Sequence, residues 1–142
     1  MKLSGVGHSR RTVLKLAASL MLPTTLSAFL VGCNPKMTAT RSAAQRMIGV
    51  LNHINKAREI GAIYIDQTPG IRQLSAEQLT EKLLLMLALD PKYISTEILD
   101  SLDTRLRKQV RQDFVDENVQ IVNGWMLSKT ELALCALATT FV

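Results

Sequence analysis

The sequence contains few of the residues that build disulfide frameworks, sheet sandwiches and glycine-rich loops. It has two cysteines, Cys33 and Cys135, so a framework of several disulfides is excluded. Aromatic residues make up 4% of the chain, and there are 7 glycines and 4 prolines in 142 residues. Leucine, alanine, isoleucine and valine are plentiful instead. This composition favours helices over a sheet sandwich.

Residues with catalytic or metal-binding chemistry are equally sparse after Cys33. His53 is the one histidine there, and no Cys-x-x-Cys, His-x-x-x-His, nucleotide-binding glycine loop or Gly-x-Ser-x-Gly motif occurs. A solvent-facing or helix-capping role for His53 is favoured over a ligand role, because no second ligand accompanies it. The sequence therefore predicts a protein that is not an enzyme, with no catalytic, cofactor-binding or metal-binding residues of its own.

Acidic residues are absent before Cys33, where four of the 17 lysines and arginines lie. From Cys33 onward 13 basic residues face 12 acidic ones, a net charge of +1. The high isoelectric point thus reflects the first residues of the chain. We expect no nucleic-acid partner, since the rest of the chain carries no broad basic field.

The basic start has the form of a twin-arginine export signal. Residues 9–15 read Ser-Arg-Arg-Thr-Val-Leu-Lys, in which Arg10, Arg11 and Leu14 are the expected signal residues. The apolar run 16–31 follows; with Pro23 inside, it is too short and too polar for a permanent membrane span. An ordinary secretory signal that contains Arg-Arg is the alternative.

The residues Leu30-Val31-Gly32-Cys33 have the form of a bacterial lipoprotein cleavage box. We expect residues 1–32 to be a signal peptide, 33–40 a lipidated tether and 41–142 a helical domain. Lipid on Cys33 would make the protein a periplasmic, membrane-anchored lipoprotein of a Gram-negative bacterium. The alternatives are a simple signal cleaved nearby and an uncleaved one.

Apolar periodicity predicts an all-α fold: a small bundle of about four helices with a short extended segment before the last one. Gly61 either ends the first helix or marks a close contact. The second helix is expected to be central, because leucines surround most of it. Capping boxes begin at Ser75 and Ser128. The predicted helices span residues 41–61, 76–89, 95 to about 114, and 129–139.

The extended segment and the last helix supply the candidate binding residues. Val119–Val122 alternates like a strand, and Asn123-Gly124 is a turn signal. A core position is favoured for Trp125, with an interface anchor as the alternative. Trp125, Leu127 and Leu134 form the candidate partner interface. We expect Cys135 to be a small buried hydrophobic residue. We expect the basic cluster 105–111 to be a helix face exposed to solvent, with contact to anionic lipid as the alternative.

Three stretches together resemble a family. The chain is similar to small subunits of bacterial membrane-associated flavin dehydrogenases, such as gluconate and sorbitol dehydrogenases. The similarity lies in the twin-arginine leader, in Ala57-Arg58-Glu59-Ile60-Gly61-Ala62-x-Tyr64, and in the closing residues 123–137, which read Asn-Gly-Trp-Met-Leu-Ser-Lys-Thr-Glu-Leu-Ala-Leu-Cys-Ala-Leu. The resemblance implies export and assembly of an FAD-bearing large subunit, with FAD in the partner. The lipoprotein box departs from the family and leaves open whether a cytochrome subunit also takes part.

These observations predict a non-catalytic small subunit that exports, stabilises and tethers a cofactor-containing periplasmic oxidoreductase. Twin-arginine export carries folded proteins, so one signal can serve a cofactor-loaded partner that lacks its own. The expected partners are a flavoprotein large subunit, the twin-arginine translocase during export, and the membrane through Cys33. The alternatives are a free-standing periplasmic lipoprotein with a structural or adaptor role, and a small helical domain that binds lipid or another ligand.

Overall fold

The part of the chain that can be described consists of helices followed by one β-hairpin and a last helix. The computed structural model describes residues 35–141, within which there are six helices and two strands. They are α1 (Pro35–Gly49), α2 (Ile54–Gln67), α3 (Pro69–Arg72), α4 (Ala76–Met86), α5 (Thr96–Val115), β1 (Val119–Val122), β2 (Trp125–Ser128) and α6 (Lys129–Thr140).

The predicted helical class is confirmed in its main part, because the described residues are mostly helical with a small two-stranded sheet. The number of helices is higher than the four predicted. The predicted helix 41–61 is two helices, and the short α3 follows Pro69, a residue that suits the first turn of a helix.

The break between α1 and α2 falls at residues 50–53. Gly49 and the β-branched Val50 are poor helix formers, and the amides of Val50 and Leu51 turn back to the carbonyls three residues earlier, which closes α1. His53 occupies the N-cap position of α2 without a side-chain capping bond, and it is exposed, as the solvent-facing interpretation predicted.

The helix α6 is the centre of the domain, whereas the sequence led us to expect the 76–89 segment there. Every residue from Leu132 to Ala138 is buried, and α6 packs against α1, α2, α4 and α5. In contrast, α4 buries Leu79, Leu83 and Leu84 but leaves Leu85 64% exposed. Since α6 carries no charge between Glu131 and its last residue, it can be enclosed on all sides at no electrostatic cost.

Helix ends follow the local signals in the sequence. Both predicted capping boxes form: Ser75 accepts from the amide of Gln78, Ser128 accepts from the amide of Glu131, and the side chain at the third helical position returns to the cap in each case. The Asn123-Gly124 turn has positive φ at both residues, 51° and 79°, as a type I′ hairpin turn requires.

The start of α1 differs from the expected tether. Residues 35–40 belong to α1, so the segment predicted as a tether over 33–40 is helical from Pro35 onward. The export-signal residues Arg10, Arg11 and Leu14 and the lipidation residue Cys33 lie outside the described residues. Among the helices of residues 35–141, none is both long and apolar enough to cross a membrane.

Candidate interaction surface

The β-hairpin presents three large apolar side chains to solvent. Ile121, Trp125 and Met126 are 65%, 64% and 57% exposed, and we call these three residues the hairpin patch. In the antiparallel register Ile121 lies opposite Met126, so both project from one face. Trp125 lies opposite Val122 and projects from the other face near the turn. The patch therefore covers both sides of the tip of the hairpin.

The hairpin is held to the domain at its base. Val122 is fully buried, and Leu127 is partly buried and packs against the core. The carbonyl of Asn118 accepts from the amide of Lys129 at 2.9 Å, and the amide of Asn118 donates to the carbonyl of Asp113 at 2.7 Å. The side chains of the patch are therefore displayed on a fixed ribbon, which limits the ordering entropy that a binding partner would have to overcome.

Asp113 joins the end of α5 to the start of α6. Its side chain is almost fully buried at 2% exposure, and its Oδ2 accepts from the amide of Thr130 at 2.9 Å while its Oδ1 accepts from Gln109 at 2.9 Å. Asp113 thereby places a carboxylate at the amino end of α6, where free amides and the helix dipole favour negative charge.

The opposite end of α6 is fixed by α2. The guanidinium of Arg58 donates to the carbonyl of Ala138 at 3.0 Å, and the hydroxyl of Thr139 donates to the carbonyl of Arg58 at 3.1 Å. Gly61 faces Cys135 and Thr139 so closely that a Cβ atom would overlap the Cys135 carbonyl. Of the two roles considered for Gly61, the close contact is therefore correct, because α2 continues past it to Gln67.

The three residues predicted to form a partner interface occupy different environments. Trp125 is exposed, so the favoured core position is wrong and the surface alternative fits. Leu127 supports the hairpin from beneath. Leu134 is 4% exposed within the core, so its assignment to an interface is corrected: α6 is enclosed by other helices. Phe114 near the end of α5 is also exposed, at 45%.

Charged groups elsewhere behave as ordinary surface residues. In the basic cluster, Arg107 pairs with Asp103 at 2.9 Å and Arg105 donates to the Ser101 hydroxyl at 3.1 Å, as expected of a solvated helix face. An open groove of about 660 Å³ between α1 and α5 is bordered by the exposed ion pair of Arg46 and Asp100. Polar side chains therefore line much of this groove.

Cys135 has the character of an unreactive core residue. It is 6% exposed, and burial, aided by the nearby Glu131 carboxylate, raises the pKa of its thiol to about 11. A thiol of this kind is protonated at neutral pH and is a poor nucleophile or ligand. Within residues 35–141, no group of three or more His, Cys, Asp and Glu side chains is placed to hold a metal ion.

The sequence did not identify Ile121 and Met126 as exposed surface residues, nor Asp113 as the residue that holds the start of α6. The alternation in Val119–Val122 shows that two faces exist, but it does not say which of them the rest of the chain covers. Asp113 carries no local signal, because its partner amide is 17 residues away in the sequence.

Comparison with known proteins adds no family assignment, since no family model, curated protein or solved structure matches the chain.

Proposed function

We propose that this protein is a non-catalytic small subunit that exports, stabilises and membrane-tethers a periplasmic oxidoreductase. The partner expected from the family resemblance is an FAD-dependent dehydrogenase, with the flavin held by the partner. Arg10 and Arg11 would direct twin-arginine export of the complex, and lipid on Cys33 would hold it at the membrane.

The observation that carries the proposal is the exposed hairpin patch with Trp125 at its tip. Tryptophan is the residue type most enriched at binding hot spots, and large apolar side chains grouped on a surface are typical of protein interfaces. The hairpin is anchored below by Val122 and Leu127, so these side chains are displayed without a role in the core.

The packing of the resembling stretches gives further support. The segment 57–64 lies on α2 and the closing segment 123–137 contains β2 and most of α6. Gly61 contacts Cys135 within the closing segment, and Arg58 and Gly61 contact Ala138 and Thr139 just after it, so the two stretches pack together where α2 meets α6. Residues that resemble a family at separate places in the sequence are thus neighbours in the fold.

A pull-down in mild detergent from native membranes tests the proposal. The full chain, carrying an affinity tag after residue 142, should bring down a polypeptide that has the visible absorbance of a flavin and dye-reducing dehydrogenase activity. Replacement of both Arg10 and Arg11 by lysine should leave that activity in the cytoplasm. A colourless eluate that contains this chain alone would reject the proposal and favour the free-standing lipoprotein.

A further inference from the structure

We propose that the hairpin patch inserts into a concave apolar groove of the partner protein, at the end of the domain that faces away from the membrane. The inference rests on the proposed function and adds the surface, its direction and the chemistry of the partner. Three kinds of partner could cover such a patch: the lipid bilayer, a second copy of this chain, or a different protein.

The direction follows from how α1 runs along α6. Near the end of α6, the guanidinium of Arg41 lies 5.5 Å from the centre of the Phe141 ring. Near the start of α6, Val50 and Leu51 share a groove with Glu131 and Leu134. The two helices are therefore antiparallel, and α1 begins at the end of α6 that is remote from the hairpin.

The separation of the two ends is large compared with the reach of the residues before α1. Twelve residues of α6 extend about 18 Å, and the helical rise from Pro35 to Arg41 adds about 9 Å. Cys33 is two residues before Pro35 and can reach only about 7 Å further. A lipid at Cys33 would thus hold the start of α1 against the bilayer and leave the hairpin on the opposite side.

This geometry argues against the bilayer as the occupant. A tryptophan with neighbouring isoleucine and methionine side chains would suit a lipid interface by composition. Since the anchor and the hairpin lie at opposite ends of the domain, however, both could enter the same membrane only if the domain lay flat.

A second copy fits poorly because of area and shape. The three exposed side chains offer on the order of 400 Å² per copy, so a symmetric pair would bury on the order of 800 Å² in total, below the roughly 1,200 Å² of stable interfaces. Two hairpin tips are also both convex, and convex surfaces cannot enclose each other's side chains. A different protein with a groove can enclose both faces of the ribbon together with the surface around them, so the contact is not limited to the area of the three side chains.

The charged residues beside the hairpin patch indicate which charges the rim of the partner's groove should carry. Asp116 and Glu117 connect α5 to β1, are exposed, and form no ion pair among residues 35–141. Lys129 at the same base donates to the Asn118 side chain at 3.3 Å. Trp125 is only about 10 Å along the strands from this base. The partner groove should therefore have an apolar floor and a rim with arginine or lysine facing the two carboxylates.

Site-specific photo-crosslinking in intact membranes tests the inference. A photoreactive phenylalanine analogue replaces Met126 in one variant and Met37 in another; both methionines are exposed, at 57% and 60%, but Met37 lies at the start of α1. The Met126 variant should crosslink to the flavoprotein found in the pull-down. The Met37 variant should give no crosslink to that protein.

Other outcomes separate the inference from the proposed function. A Met126 crosslink to lipid, or to a second copy of this chain, would overturn the inference. So would a flavoprotein that co-purifies with both variants but crosslinks only from Met37, which would leave the proposed function standing. Absence of any flavoprotein with the unmodified chain would reject both.

Discussion

At the scale of single residues, the exposed fraction of a side chain decides whether it belongs to the core or to a surface, which the sequence composition leaves open. A lone tryptophan in a small domain is usually a large contributor to the core, which is why the sequence favoured a buried Trp125. The fold instead fills its core with leucine, and Trp125 is left at 64% exposure. For Leu134 the reverse holds: it was predicted at an interface, but it is buried because its helix is enclosed by other helices. Neither outcome is encoded near the residue itself.

Gly61 is the residue whose replacement should disturb the packing most specifically. In Gly61→Ala the new Cβ would overlap the Cys135 carbonyl, so α2 and α6 must separate. We expect a net loss of about 1–3 kcal/mol in the free energy of unfolding, since overpacking outweighs the gain in helix propensity. Urea titration followed by circular dichroism measures this loss.

Gly49→Ala is the matched control for that experiment. Gly49 also lies in a helix, but a Cβ there would meet nothing within 4 Å. Its replacement should leave stability unchanged or slightly raised. Equal midpoints for the two variants would show that the α2–α6 contact is looser than described.

At the scale of secondary-structure elements, the sequence predicted what local interactions control. Both capping boxes, the Asn123-Gly124 turn and the last helix need only residues within a few positions of one another, and all are present. The break after Gly49 also has a local cause, but the apolar periodicity runs through it and the sequence interpretation missed it. The central place of α6 depends on how helices pack together, and it was predicted incorrectly because periodicity describes faces and not the partners that cover them.

The junction of α5 and α6 provides a prediction at this scale. Asp113→Ala removes the acceptor of the Thr130 amide in a buried position and takes a negative charge from the start of α6. We expect a loss of about 2–3 kcal/mol in the free energy of unfolding, from the unpaired amide and the lost dipole interaction. Chemical denaturation at neutral pH provides the measurement.

Asp116→Ala tests whether the effect belongs to the junction. Asp116 is exposed at the end of α5, where its carboxylate accepts from the side chain of Gln112. Its replacement should change stability by less than about 0.5 kcal/mol. Comparable losses in both variants would mean that Asp113 does not support α6 as described.

At the scale of the whole molecule, the start of α1 and the hairpin lie at opposite ends of the domain. The end where α1 begins would be held by lipid at Cys33, and the end with the hairpin would hold the partner. α6 connects them: Asp113 and Ser128 fix its start, and Arg58 and Gly61 fix its end. The sequence named Trp125 as a candidate interface residue, but it could not indicate that the hairpin lies at the end of the domain remote from the start of α1.

The most direct test of this account is to repeat the native pull-down with Trp125→Ser and Tyr93→Ser. Both aromatic side chains are exposed, at 64% and 74%, and only Trp125 belongs to the hairpin patch, so both variants should keep the stability of the unchanged protein. Loss of a hot-spot residue costs about 2 kcal/mol or more, so Trp125→Ser should bind the flavoprotein about 30-fold more weakly while Tyr93→Ser binds normally. Equal recovery of the flavoprotein with both variants would contradict the claim that the hairpin is the docking surface.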